Sequence, residues 1–242
     1  MKIRDSVAFV TGANRGLGLV FARELIAAGA RKVYAAARDP ERITLDGVDR
    51  VRLDVTRSEN IAAVARACTD VNLLINNAGV NFWLEFAARE AVEAARSEME
   101  TNYFGPLALS RAFAPVLAEN GGGAIVNVLS VLRWVTVPNA GTYSASKAAA
   151  WALTNWLRTS LREQGTQVLG LHAGPIDTDM ASELTVPKTK PVDVVRQVLS
   201  AIEAGRDEVF ADEATRQVKA GLSNEIGIYL NFDPDRTLAA AT

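Results

Sequence analysis

The chain has 242 residues, 49% of them hydrophobic, and a formal net charge of −2. That is ample apolar content for one sizeable core, and the charge balance offers no basic face, which argues against nucleic acid or an anionic membrane as partners. One cysteine, Cys68, excludes an internal disulfide framework, and one histidine, His172, leaves little for a zinc or iron site, so no metal is expected.

Residues 7–10, Val-Ala-Phe-Val, form a short apolar run that ends at Thr11-Gly12 and reads as a buried parallel strand. No apolar leader precedes it and no apolar stretch reaches membrane-spanning length, so a cytoplasmic location is expected. Gly16-Leu17-Gly18 leads into a helical pattern closed by Gly29. Residues 32–37 read as a second strand and 49–53 as a third, followed by Asp54. Ser58 is expected to cap a helix running to about Cys68. Residues 73–75 are a fourth strand that ends in Asn76-Asn77-Ala78-Gly79. A long helical region covers about 89–119, with a break expected near Gly105-Pro106. After the Gly121-Gly122-Gly123 turn, residues 124–129 are a fifth strand ending at Ser130. A helix opens at Thr142-Tyr143 and runs to about Gln164. Residues 168–171 are a sixth strand, Pro191 starts a further helix, and Glu208-Val209-Phe210 is a seventh strand.

Strands alternating with helices of ten or more residues predict an α/β fold, a parallel sheet covered by helices on both faces. No linker or repeat splits the chain, so residues 1–242 read as one domain, with 232–242 as a loose tail.

Thr11-Gly12-Ala13-Asn14-Arg15-Gly16-Leu17-Gly18 follows a strand and opens a helix. Glycines there permit a tight turn and close backbone approach, and the helix start offers amides and a partial positive charge to a pyrophosphate. The second strand ends Ala36-Ala37-Arg38, with no carboxylate to hold ribose hydroxyls. Arg15 and Arg38 instead suit a 2′-phosphate, so NADP(H) is the expected cofactor. Asp54, followed by Val55, is placed to meet the adenine edge, although a plain turn aspartate fits nearly as well.

Tyr143 and Lys147 are four residues apart and share one helix face. An ammonium beside a phenol favours the phenolate, and a tuned Tyr can exchange a proton with an alcohol or carbonyl oxygen. Tyr-x-x-x-Lys alone is a common pattern and equally describes a half-buried Tyr with a solvated Lys.

Taken together, the motifs Thr11-Gly12-x-x-x-Gly16-x-Gly18, Asn76-Asn77-Ala78-Gly79, Asn102, Ser130 and Tyr143-x-x-x-Lys147 resemble the short-chain dehydrogenases/reductases over nearly the whole chain. The resemblance implies a Rossmann-type doubly wound sheet of about seven strands in order 3-2-1-4-5-6-7 and a nicotinamide cofactor. It implies a tetrad of Asn102, Ser130, Tyr143 and Lys147. Tyr143 would be the general acid in reduction, Ser130 would orient the carbonyl, and Lys147 would lower the Tyr143 pKa and bind the nicotinamide ribose. Asn102 would help hold a water linking Lys147 to solvent. Cofactor contacts are implied at Gly12, Asn14, Arg15, Gly16, Leu17, Gly18, Arg38, Asp54, Val55, Asn77, Ala78, Gly79, Tyr143 and Lys147. Gly174, Pro175, Ile176 and Thr178 extend the set after the sixth strand, where Ala173 stands in place of the family's usual Pro. With Tyr143 and Lys147 present, His172 reads as a packed structural side chain.

The substrate end is expected to include Trp83, Ser130, Leu132, Trp134, Tyr143, Pro175 and Met180, a mainly apolar set that suits an apolar ketone, aldehyde or secondary alcohol. Residues 180–190 read as a short mobile flap. Two other readings stay open: a reductase dedicated to one 3-oxoacyl or biosynthetic ketone, and a non-catalytic cofactor sensor, which retention of both Tyr143 and Lys147 disfavours. The resemblance implies a shared face on the helices near 101–120 and 143–164, where Trp151, Trp156 and Leu157 offer apolar area, although core packing is an equal reading for each. A homodimer is expected at least. A homotetramer is disfavoured by the absence of the Asp-Gly-Gly that tetrameric members carry near the end; here the segment is Val209-Phe210-Ala211-Asp212-Glu213.

Overall fold

The computed structural model describes residues 1–234. Seven parallel strands form one sheet in the order β3-β2-β1-β4-β5-β6-β7, as the resemblance implies. They are β1 (Val7–Thr11), β2 (Lys32–Ala37), β3 (Asp49–Arg52), β4 (Leu73–Asn76), β5 (Ala124–Val128), β6 (Gln167–His172) and β7 (Glu208–Phe210). The central strands β1 and β4 are buried at every position, which is why they read as continuous apolar runs and show no alternation.

Two cores flank the sheet. One packs α1 (Gly16–Ala27) and α6 (Pro191–Glu203) on one face through Phe21, Leu25, Val194, Val198 and Ile202. The other packs α2 (Ser58–Ala67), α4 (Gly105–Glu119) and α5 (Gly141–Ser160) through Ile61, Leu109, Phe113, Leu153 and Leu157. For Leu157 the core alternative holds: it is 6% exposed and belongs to this core. Trp156 on the same helix is 59% exposed.

Three local expectations are corrected. Ser58 does not cap α2 but is its first residue, and Asp54 instead accepts from the Thr56 amide and hydroxyl at 3.0 and 2.7 Å to shape the turn before it. The long helical region breaks earlier than Gly105-Pro106. It runs as α3 (Ala91–Met99), then a widened π turn (Glu100–Phe104), then α4. Pro106 lacks an N–H and is accommodated in the first turn of α4, so the irregularity falls one turn upstream. The expected tail is ordered at its start: Phe232 packs beside Val135 and Val218, and Phe232 and Pro234 both line the main cleft. The rest of that expected tail, 235–242, lies outside the described residues. The C-terminal part also contains α7 (Glu213–Gly221), capped by the Asp212 carboxylate, which accepts from the Thr215 amide at 2.8 Å.

Candidate active site

A single cleft of about 1090 Å³ runs along the carboxyl ends of the strands. Parallel strands leave their C-terminal loops together on one edge, and open α/β sheets bind ligands there. Of the residues expected at a cofactor, Gly12, Asn14, Arg15, Gly16, Leu17, Arg38, Asp54, Val55, Asn77, Ala78, Gly79, Tyr143, Lys147, Gly174, Pro175, Ile176 and Thr178 all line this cleft. Gly18 does not line it. It sits behind the loop, where a Cβ would collide with the Gly12 carbonyl oxygen, so its role is close packing of helix on strand. The Asn77 amide group donates to the Thr11 carbonyl at 2.8 Å and ties the ends of β1 and β4 into one floor.

The rim near the end of β2 carries Arg38 and also Arg42, which the sequence reading did not single out. Arg15 reaches across the cleft to Asp179 at 3.0 Å, joining the glycine-rich loop to the segment after β6. Among the described residues no carboxylate ends β2; Asp39 follows Arg38 in the loop. These guanidinium groups fit a phosphate on the adenosine side of a dinucleotide, and the glycine cradle fits its pyrophosphate.

At the other end of the cleft Ser130, Tyr143 and Lys147 converge. Ser130 lies two residues past the end of β5 and caps the 3₁₀ turn Val131–Arg133; its hydroxyl accepts the Leu132 amide at 3.1 Å, so a tight turn fixes its rotamer. Tyr143 lies in the first turn of α5, and Lys147 one turn later donates to the Val128 carbonyl at 2.8 Å. Burial pushes the Tyr143 phenol up; hydrogen bonding to Ser130 acts against this, and the charge of Glu98 adds to it. Burial pushes Lys147 down to about 8. The expectation that Lys147 lowers Tyr143 is therefore corrected for the protein's own groups. The Lys147 nitrogen is 5.6 Å from the Tyr143 ring centre and is held by a backbone carbonyl, and desolvation governs both side chains.

Asn102 is buried at the middle of the π turn, a local geometry often found at functional sites. It grips Val80 through both backbone groups, accepting from its amide at 3.0 Å and donating to its carbonyl at 2.9 Å, and it also donates to the Ser146 hydroxyl at 2.9 Å. A Cβ on Gly79 would lie 3.1 Å from the Asn102 oxygen and 3.6 Å from the Lys147 nitrogen, so glycine there lets the two approach. The tetrad positions are brought together, with Asn102 behind the cleft wall.

The substrate end keeps Trp83, Leu132, Pro175 and Met180, with Val80 and Phe82 beside them. Trp134 is a correction. The 3₁₀ turn Val131–Arg133 carries it away from the cleft, and its ring stacks on His172 at 5.2 Å and on the Arg133 guanidinium at 3.4 Å. His172 is fully buried, accepts from Arg133 Nε at 2.7 Å and lies 3.4 Å from Glu208. Burial pushes it down to about 4, so it is a neutral structural imidazole, in line with the sequence reading. The sequence reading missed Asp212, whose carboxylate accepts the Gly174 amide at 2.7 Å and fixes the start of the cleft segment after β6.

Fold and site together define a dinucleotide-type oxidoreductase built on an open parallel sheet. The chain belongs to the short-chain dehydrogenase family: the model for "short chain dehydrogenase" matches residues 6–188. It is 31% identical to Dehydrogenase/reductase SDR family member 7B of Danio rerio, over 94% of this chain and 81% of that protein. A short chain dehydrogenase from Burkholderia cenocepacia, solved in complex with NADP, superposes with a TM-score of 0.89 at 43% identity, covering 93% of this chain and 95% of that one. A family member from Burkholderia phymatum, solved in complex with NAD, gives a TM-score of 0.83 at 25% identity, with the same coverages of 93% and 95%.

Proposed function

We propose that this oxidoreductase uses NADP(H) to reduce an apolar ketone or aldehyde, and in reverse oxidises the secondary alcohol. The observation that carries the reading is the single cleft that holds an arginine-rimmed glycine cradle at one end and Ser130, Tyr143 and an apolar wall at the other. The similarity to a family member crystallised with NADP supports the cofactor.

A nicotinamide cofactor, when bound, supplies or accepts the hydride. Tyr143 gives its phenolic proton to the substrate oxygen in reduction and takes it back in oxidation. Ser130, its rotamer set by the Leu132 amide, hydrogen-bonds the same oxygen and fixes its direction. Lys147 would hold the ribose on the nicotinamide side of a bound cofactor, and Asn102 fixes the Val80 backbone. The wall of Val80, Phe82, Trp83, Leu132 and Met180 excludes water and selects apolar groups next to the carbonyl.

A panel of ketones, aldehydes and acyl thioesters, followed at the nicotinamide absorbance with NADPH and with NADH, tests this. Turnover of apolar ketones with NADPH is the expected result; turnover confined to one acyl thioester rejects the broad carbonyl reading. A cytoplasmic homodimer is part of the same proposal, since Phe104 at the end of the π turn and Trp156 on α5 leave apolar area exposed; light scattering that returns the 25.9 kDa monomer rejects it.

A further inference from the structure

Glu98 is the one acidic side chain among the described residues that is fully buried. It lies on α3 in the stripe Ala94, Glu98, Asn102, each one turn apart and all turned inward. One carboxylate oxygen accepts the Phe82 amide at 3.0 Å, and the other is buried without a partner. Among the described residues no cation lies within ion-pair distance of it. Burying a carboxylate on so little compensation is costly, and an apolar side chain would pack this stripe at no such cost. A buried polar group left partly unsatisfied calls for a role.

Two features of the surroundings indicate the use. Asn102 holds Val80 and Glu98 holds Phe82, so the loop after β4 is pinned at alternate residues by helix residues one turn apart. The spacings match: two residues of extended chain span about 6.6 Å, and four residues of helix rise about 6 Å. Phe82 and Trp83, which this pinning places, are walls of the substrate end.

We propose that Glu98 is a positioning residue for the reaction assigned above, acting through its hold on the Phe82 amide and so on the Phe82–Trp83 wall. The proposal rests on that assignment. Its consequence is that Glu98 sets the position of this wall and with it the fit of the ketone.

Two variants test the tether. Glu98→Gln keeps an acceptor for the Phe82 amide; Glu98→Leu removes it. Glu98→Gln should leave the ketone KM within about twofold of wild type, and Glu98→Leu should raise it about tenfold with a smaller effect on kcat, since the wall loses its hold. Far-UV circular dichroism and an unchanged NADPH Kd establish that each variant is folded. Amide hydrogen exchange of residues 80–84 reads the tether without turnover: it should speed up in Glu98→Leu and not in Glu98→Gln. A wild type that turns over nothing on the panel, yet whose segment exchanges faster in Glu98→Leu, rejects the assigned reaction and keeps the role of Glu98. Unchanged exchange or a wild-type KM in Glu98→Leu overturns the tether.

Discussion

The Trp83 indole donates to the Met180 carbonyl at 3.3 Å, tying the loop after β4 to the segment after β6 across the substrate end of the cleft. Trp83 reaches this position with φ at +53°, a left-handed conformation unusual for a bulky side chain, and its amide is held by the Asn81 carboxamide oxygen at 3.0 Å. Strain kept at a cleft wall is a sign that the conformation serves binding. Replacing Trp83 by Ala or by Gly removes the same indole, but only Gly relieves the backbone. The Gly variant should therefore be the more stable of the two by about 1 kcal/mol in urea denaturation. Both should shift kcat/KM toward bulkier ketones by about tenfold relative to small ones. Equal stability of the two variants would show that the left-handed geometry carries no strain.

The two arginines expected at a 2′-phosphate are not equivalent. Arg15 is engaged by Asp179 at 3.0 Å, whereas the Arg38 side chain lines the cleft with no carboxylate partner among the described ion pairs. A charge-assisted phosphate contact contributes about 1.5–3 kcal/mol, or roughly ten- to a hundredfold. Arg38→Asp should erode or reverse the preference for NADPH over NADH, while Arg15→Ala should cost less of it. The ratio of kcat/KM values for the two cofactors measures both, and equal values in the unmutated protein would reject NADP(H) as the preferred cofactor.

Acid should unfold this protein partly through His172. Its pKa in the folded state is pushed from 6.5 down to about 4, first by burial, so between those values the unfolded chain binds more protons. Stability then rises with pH across this window and is lost as pH falls from about 6.5 to 4, by about 3 kcal/mol for this one group. Glu208, held below its usual range chiefly by its hydrogen bond to His172, adds loss in the same direction at the acid end. Urea denaturation at a series of pH values should show this slope in the wild type and a shallower one in His172→Gln; parallel slopes would place the acid sensitivity elsewhere.

Covalent spacing explains what the sequence could reveal. The glycine loop lies within eight residues, the Tyr143 and Lys147 pair within one helical turn, and apolar strand runs fix the sheet; all of these are local, and all stand where expected. Side-chain direction in irregular turns was not legible. After Ser130 the 3₁₀ turn leaves Leu132 in the cleft and sends Trp134 under β6 and β7, a choice set by Arg133 and His172, which are 39 residues apart. Glu98 was overlooked because its meaning depends on Phe82, 16 residues away, and on burial that no periodicity reports. The polarity of the Tyr143 environment was misread for a related reason. The sequence shows the nearby lysine but not the desolvation that outweighs it.

Tyr143 itself is open to direct test. Its hydroxyl is the proposed proton donor, and Tyr143→Phe removes only that oxygen from a buried, well-packed ring. Folding and NADPH binding should persist, while kcat should fall by about 10²–10⁴-fold, the usual worth of general acid catalysis. Lys147→Met should also be severe and should weaken NADPH binding, because Lys147 is assigned to the ribose. The pH profile should depend on direction. Burial holds the phenol protonated, so reduction should persist at neutral pH, whereas oxidation needs the phenolate and should rise toward alkaline pH. Lys147, pushed down to about 8, loses its charge in the same alkaline range, so oxidation should level off and not rise without limit. Steady-state rates in both directions with the Phe and Met variants decide the matter. A Tyr143→Phe protein that retains more than about a tenth of the wild-type kcat, a loss smaller than general acid catalysis accounts for, would remove Tyr143 from the proton-transfer step.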